Sequence, residues 1–169
     1  MIINFNKKLF SRKYMKIINS AFDYAIKLLK VPCRDLEVNV SFVGKKEIRK
    51  LNNEFRNIDK ITDVLSFPNL LQSGITDEQL IFDKITKENF SHEINPENNC
   101  IVLGDIVICK KQVIQQSREY RTTKSREMVY MSVHGLLHLL GYDHMKDLDK
   151  EHMREVEEKI MKHVNLERK

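Results

Sequence analysis

Between residues 36 and 43 apolar and polar positions alternate, Leu36, Val38, Val40 and Phe42 interleaving with Glu37, Asn39 and Ser41. A period of two is that of a strand with one packed face and one wet face. Residues 1–6 read as a second strand, and residues 101–108 as the most apolar one. Between the first two, Tyr14, Ile17, Ile18, Ala21, Phe22, Ala25, Leu28 and Leu29 recur at the spacing of a core-facing helix, capped by Ser11 and ended by Pro32. After Gly44, Ile48, Leu51 and Phe55 mark one side of a shorter helix, and Asp63 to Pro68 returns as an extended segment. From Lys110 onward the pattern is helical, over roughly 110–119, 124–140 and 147–164.

Strands interleaved with helices, followed by helices alone, predict an α+β domain. Its small mixed sheet of about four strands would be covered by about five to six helices. Residues 69–100 carry two lysines against six acids and read as an acidic excursion between strands, with room for a short helical turn. The whole chain, 1–169, is expected to form one domain.

Composition narrows the class. An apolar share of 41%, with only 5 Gly and 3 Pro, excludes a disordered or collagen-like chain. No apolar run approaches the roughly 20 residues of a spanning helix, so no membrane is expected. The opening residues lack the pattern of a secretory signal, which makes the cytoplasm the expected location. Three cysteines, Cys33, Cys100 and Cys109, with no C-x-x-C pair, exclude a disulfide framework and a thiolate zinc finger.

Charge is unevenly spread. The net +5 includes a local −4 over residues 69–100, so the remainder holds +9. Lys110, Lys111, Arg118, Arg121, Lys124 and Arg126 face Glu119 as the one acid of their stretch. Such a run suits the backbone of a polyanion such as RNA, and binding would weaken with salt. Solvated helix and loop positions are the alternative reading.

The chemistry is concentrated in His134-Gly135-Leu136-Leu137-His138-Leu139-Leu140-Gly141-Tyr142-Asp143-His144. On a helix, positions four apart lie about 40° apart in projection and about 6 Å along the axis, so both rings can reach one ion. A ligand at His144 requires the chain to turn back first, and Gly141 is placed to end the helix in a left-handed conformation. Three such imidazoles point to zinc with one open position, which activates water for attack on a carbonyl or phosphorus centre. Asp143, Asp147 or Cys109 could instead close the site as a fourth ligand. Two core histidines bonded to backbone carbonyls, with His144 at the surface, form the alternative. The spacing H-x-x-x-H-x-x-G-x-x-H is also that of metzincin proteases, but Gly135 stands where those carry their catalytic glutamate.

Four blocks resemble the YbeY family, bacterial endoribonucleases and ribosomal RNA maturation factors of the cytoplasm. They are the histidine block; Leu51-Asn52 through Phe55-Arg56 with Asp59; Thr62-Asp63-Val64-Leu65-Ser66-Phe67-Pro68; and Leu103-Gly104-Asp105-Ile106. The resemblance implies that His134, His138 and His144 hold one zinc ion and that Arg56 lies beside it. A guanidinium there could grip an RNA phosphate by two parallel hydrogen bonds; a surface pair with Asp59 is the alternative. It further implies action in 3′-end maturation of small-subunit (16S) ribosomal RNA and in ribosome quality control. The partners would be that RNA, the small ribosomal subunit, and a ribosomal protein or assembly GTPase.

Asp105 interrupts an apolar strand and could orient a histidine ring or serve as a structural carboxylate; Asp143 is a similar case. Ile61 and Cys109 depart from the family's usual proline and serine. Cys109 reads as a small core residue rather than a nucleophile. The rival functions are a non-enzymatic ribosome assembly factor with a structural zinc, and another zinc hydrolase.

Overall fold

The computed structural model describes residues 1–6, 11–70, 81–142 and 147–167. In chain order these form β1 (Ile2–Phe5), α1 (Arg12–Leu28), β2 (Leu36–Val43), α2 (Lys45–Arg56), β3 (Val64–Pro68), β4 (Ile94–Asn95), β5 (Cys100–Cys109), α3 (Lys110–Glu119), α4 (Lys124–Leu139) and α5 (Asp147–His163). Local chemistry sets several of the boundaries. The Ser11 hydroxyl accepts from the Lys13 N–H to open α1, and the Thr123 hydroxyl accepts from the Arg126 N–H to open α4.

The sheet is mixed, as the pattern predicts. β1 and β2 run parallel, β2 and β5 run parallel, and β3 pairs antiparallel with β5, in the order β1-β2-β5-β3. The fifth strand is the two-residue β4, which lies within the acidic excursion and pairs antiparallel with β5. Two short 3₁₀ turns, at Ile81–Lys84 and Ser91–Glu93, occupy the rest of its described part.

β5 contains a bulge that decides which side chains face which layer. Glu37 pairs with Val102 but Val38 pairs with Gly104, so one residue of β5 is extra. The buried set accordingly jumps phase, from Ile101 and Leu103 to Ile106 and Ile108. Gly104 takes φ +135°, and a Cβ there would lie 2.1 Å from the Phe67 carbonyl oxygen, so only glycine fits.

The two faces are covered differently. α1 and α4 pack on the face carrying Val38, Val40, Ile106 and Ile108, in one continuous core. α2 lies on the other face, with Ile48 buried among Val43, Leu65 and Cys109. Cys109 is fully buried there, as expected of a small core residue.

Two expectations fail. The polar side of β2 is not a wet face: Glu37 is 6% exposed and accepts hydrogen bonds from the side-chain amides of Asn4, Asn95 and Asn98. β2 is an interior strand flanked by β1 and β5, so Glu37 is satisfied by neighbouring amides rather than by water, while Asn39 and Ser41 stay partly exposed. Phe55, expected on the apolar side of its helix, is 60% exposed and touches Phe67 edge-on, with ring centroids 5.0 Å apart.

Candidate metal centre

α4 is the helix on which the site is built. Met128, Val129, Met131, Val133, Leu136, Leu137 and Leu139 are all buried, because the helix packs against α1, α3, α5, β3 and β5. Gly135 lets it approach the sheet: a Cβ there would stand 2.6 Å from Ile106 Cγ2. Such close packing fixes the helix, and with it the two histidines one turn apart.

The helix ends where glycine was expected to end it. Gly141 has φ +91°, its N–H donates to the His138 carbonyl, and the Tyr142 N–H donates to the Leu137 carbonyl. This is a Schellman closure, whose left-handed residue is usually glycine. The turn also swings the Tyr142 carbonyl to 2.8 Å from His138 Nδ1.

The other ring is held from α5. His134 Nδ1 lies 2.7 Å from Glu157 Oε1, while the Tyr130 hydroxyl donates to Glu157 Oε2 at 2.6 Å. Glu157 is 3% exposed, and both its oxygens are engaged. Burial pushes the Tyr130 phenol well above its ordinary range, and the Glu157 carboxylate adds to the rise, so Tyr130 remains a donor. Tyr142 is pushed up to about 12 by burial alone.

With acceptors on both Nδ1 atoms, each neutral ring carries its proton there and presents the Nε2 lone pair. The two Nε2 atoms lie 3.1 Å apart. Two nitrogens each at about 2.0–2.1 Å from a tetrahedral ion would be separated by roughly 3.3 Å. This donor set therefore fits a zinc ion shared by His134 and His138. Among the described residues no group of three or more His, Cys, Asp or Glu side chains is arranged to hold a metal. His144 and Asp143 lie outside the described residues.

The remaining expectations divide. Asp105 does not face α4: the bulge places Ile106 against Gly135 and turns Asp105 to the opposite face, where it accepts from Asn39 Nδ2 at 3.0 Å. Glu157 and the Tyr142 carbonyl hold the two rings, and Asp105 is placed as the structural carboxylate of its other reading. Sequence reading missed Glu157, although a carboxylate within the stripe Met153, Val156, Ile160 and Met161 was the available signal.

Arg56 is exposed at the end of α2, and Asp59 is instead held by Arg49 through two hydrogen bonds of 2.6 Å. α2 and α4 meet β3 from opposite faces of the sheet. Lys111, Arg118, Arg121 and Lys124 are exposed, and Lys110 is half-buried. Arg126 leaves that outer surface. It is 8% exposed and bonded to Glu127 at 2.8 Å and Glu158 at 3.2 Å, because it falls on the packed side of the first turn of α4.

No described helix is long and apolar enough to cross a membrane. A family model described as endoribonuclease YbeY matches residues 1–165. An endoribonuclease YbeY of Clostridium acetobutylicum is 44% identical over 154 residues, covering 89% of this chain and 88% of the relative. Another, from Clostridium kluyveri, is 42% identical over 156 residues and 91% of each chain. The solution structure of TM1509 from Thermotoga maritima matches with a TM-score of 0.60 and 27% identity, over 96% of this chain and 89% of that one. Motif blocks, mixed sheet and matches agree along nearly the full length, and the chain belongs to the endoribonuclease YbeY family, nucleases that act on RNA.

Proposed function

We propose that this protein is a zinc-dependent endoribonuclease of the cytoplasm, cutting single-stranded RNA in 3′-end maturation of small-subunit ribosomal RNA and in ribosome quality control. One observation carries the zinc dependence: the two Nε2 atoms 3.1 Å apart, on rings held through Nδ1 by Glu157 and the Tyr142 carbonyl. His134, His138 and His144 would hold the ion, which supplies Lewis acidity to a phosphodiester. The chain's own residues do the positioning. Glu157 and the Tyr142 carbonyl fix the two rings, and Glu157 has no oxygen left over to act as a base.

Arg56, exposed and without a carboxylate partner among the described residues, is available to bind a phosphate through its planar fork. The exposed cations Lys111, Arg118, Arg121 and Lys124 supply a salt-sensitive track for the RNA backbone. The small ribosomal subunit, with a ribosomal protein or an assembly GTPase, would present the substrate.

A second reading has its own observation. His134 and Glu157 tie α4 to α5, so an ion beside them could brace the fold of a non-enzymatic assembly factor. Metal analysis of the untagged protein beside His138→Ala, with thermal melts and cleavage of ribosomal RNA precursors, tests both. The nuclease reading expects about one zinc per chain, and a variant that is folded but metal-free and inactive. A wild type without metal overturns it, and a variant that unfolds on losing its zinc favours the brace.

A further inference from the structure

Between α4 and α5 lies a cavity of about 500 Å³, within the size range of small-ligand sites, with His134 in its wall. Its apolar part is formed by Tyr130, Met131 and Met153. Its polar part is unevenly satisfied. Glu127 accepts from Thr122 and Arg126, Glu157 from Tyr130 and His134, and Glu158 from Arg126. Each wall carboxylate is thus answered from within the protein.

The wall cations are not all answered. Lys150 and Arg154, on successive turns of α5, are exposed and make no ion pair among the described residues, so two unpaired cations stand at the mouth. Arg126 adds a second, independent sign. It is nine-tenths buried in the wall, yet its Nε–H has no acceptor among the described residues. Leaving such a group unpaired costs about 1–3 kcal/mol, which a ligand oxygen seated against it would recover. Since Glu127 and Glu158 already set two negative charges against its one, a neutral carbonyl acceptor suits Arg126 better than a phosphate.

The cavity also has an approach. Tyr120, 51% exposed, lines its edge and stands between Arg118 and Arg121 of the basic track. An RNA strand following that track arrives at the mouth with an aromatic face on which a base can stack.

We propose that this cavity seats one nucleotide of a single-stranded RNA next to the histidine centre, its phosphate between Lys150 and Arg154 and its base against Tyr130, Met131 and Met153. The inference rests on the reading of the protein as an RNA nuclease and adds where a nucleotide flanking the cut is held. An apolar floor with a carbonyl-seeking N–H recognises a base, and the unpaired cations at the rim recognise its phosphate.

Nucleoside monophosphates test it without any need for cleavage. Adenosine and uridine 5′-monophosphate are titrated into the purified protein while backbone amide shifts are followed. Wild type is compared with Lys150→Ala/Arg154→Ala and with a control on the same helix, Lys159→Ala/Lys162→Ala. Shifts confined to residues 118–134 and 150–158 are expected, with Kd raised about tenfold or more in the first double variant and little in the control. Inorganic phosphate should bind much more weakly than either nucleotide.

Equal weakening in both double variants would show attraction by general charge only. Equal affinity for inorganic phosphate would show that the base is not bound, and either result overturns the proposal. Zinc content and RNA cleavage are measured on the same wild-type samples. Their absence would defeat the nuclease reading while leaving the nucleotide result to stand or fall separately.

Discussion

Glu157 is the residue on which His134 depends, and it was the least legible in the sequence. It lies 23 positions away, on a helix whose balanced charges read as a solvated face. Only the packing of α5 on α4 makes it a buried partner, and such tertiary contacts leave no periodic trace except a carboxylate in an apolar stripe. Replacing it with Gln keeps an oxygen for one neighbour but removes the charge. Glu157→Gln should lower zinc affinity by about 10–100-fold in a chelator competition while the protein remains folded. An unchanged affinity would assign Glu157 to folding alone. Gly135 makes a different case, because its lack of a side chain sets the distance from α4 to the sheet. Gly135→Ala should destabilise by about 1–3 kcal/mol in denaturant unfolding. Adding Ile106→Ala should give less than the sum of the two single losses, since the clash would be gone.

At the scale of elements the sequence was informative wherever a local rule applied. The span of α3, the Ser11 cap and the closing glycine of α4 follow from periodicity, a side-chain acceptor and a positive φ. The face to which Asp105 turns did not follow, because the bulge at Gly104 shifts the alternation by one residue. Arg126 was misplaced for a related reason: in a run of six basic residues, only helix phase separates the outward ones from the one packed inward. The α4 terminus carries its own prediction. Gly141→Ala would force a side chain into a left-handed residue and displace the Tyr142 carbonyl from His138. Both melting temperature and zinc affinity should therefore fall, whereas a fall in stability alone would separate the turn from the site.

For the whole molecule, the α+β class and the strands' order of appearance were readable from alternating and helical patterns. The polar layer on the far face was not. Asn4, Asn39 and Asp105 are joined across three strands, and Glu37 sits among three asparagine amides. Hydrogen bonds from Asn98, Asn95 and Asn4 hold the Glu37 carboxyl below its ordinary value of 4.5, against the opposing effect of burial. Its folded pKa being the lower, Glu37 contributes stability that is fully present above its unfolded value and lost as pH falls through the folded one. Denaturant midpoints should thus drop on acidification in the wild type and change less in Glu37→Gln. Equal slopes in the two proteins would remove Glu37 from the acid response.

The tie between His134 and Glu157 also has an order in time. A chain emerging from the ribosome exposes α4 before Glu157 has been released, so His134 lacks its carboxylate until α5 follows and docks. The contact that holds the His134 ring is thus completed only once the last helix has docked on the one before it.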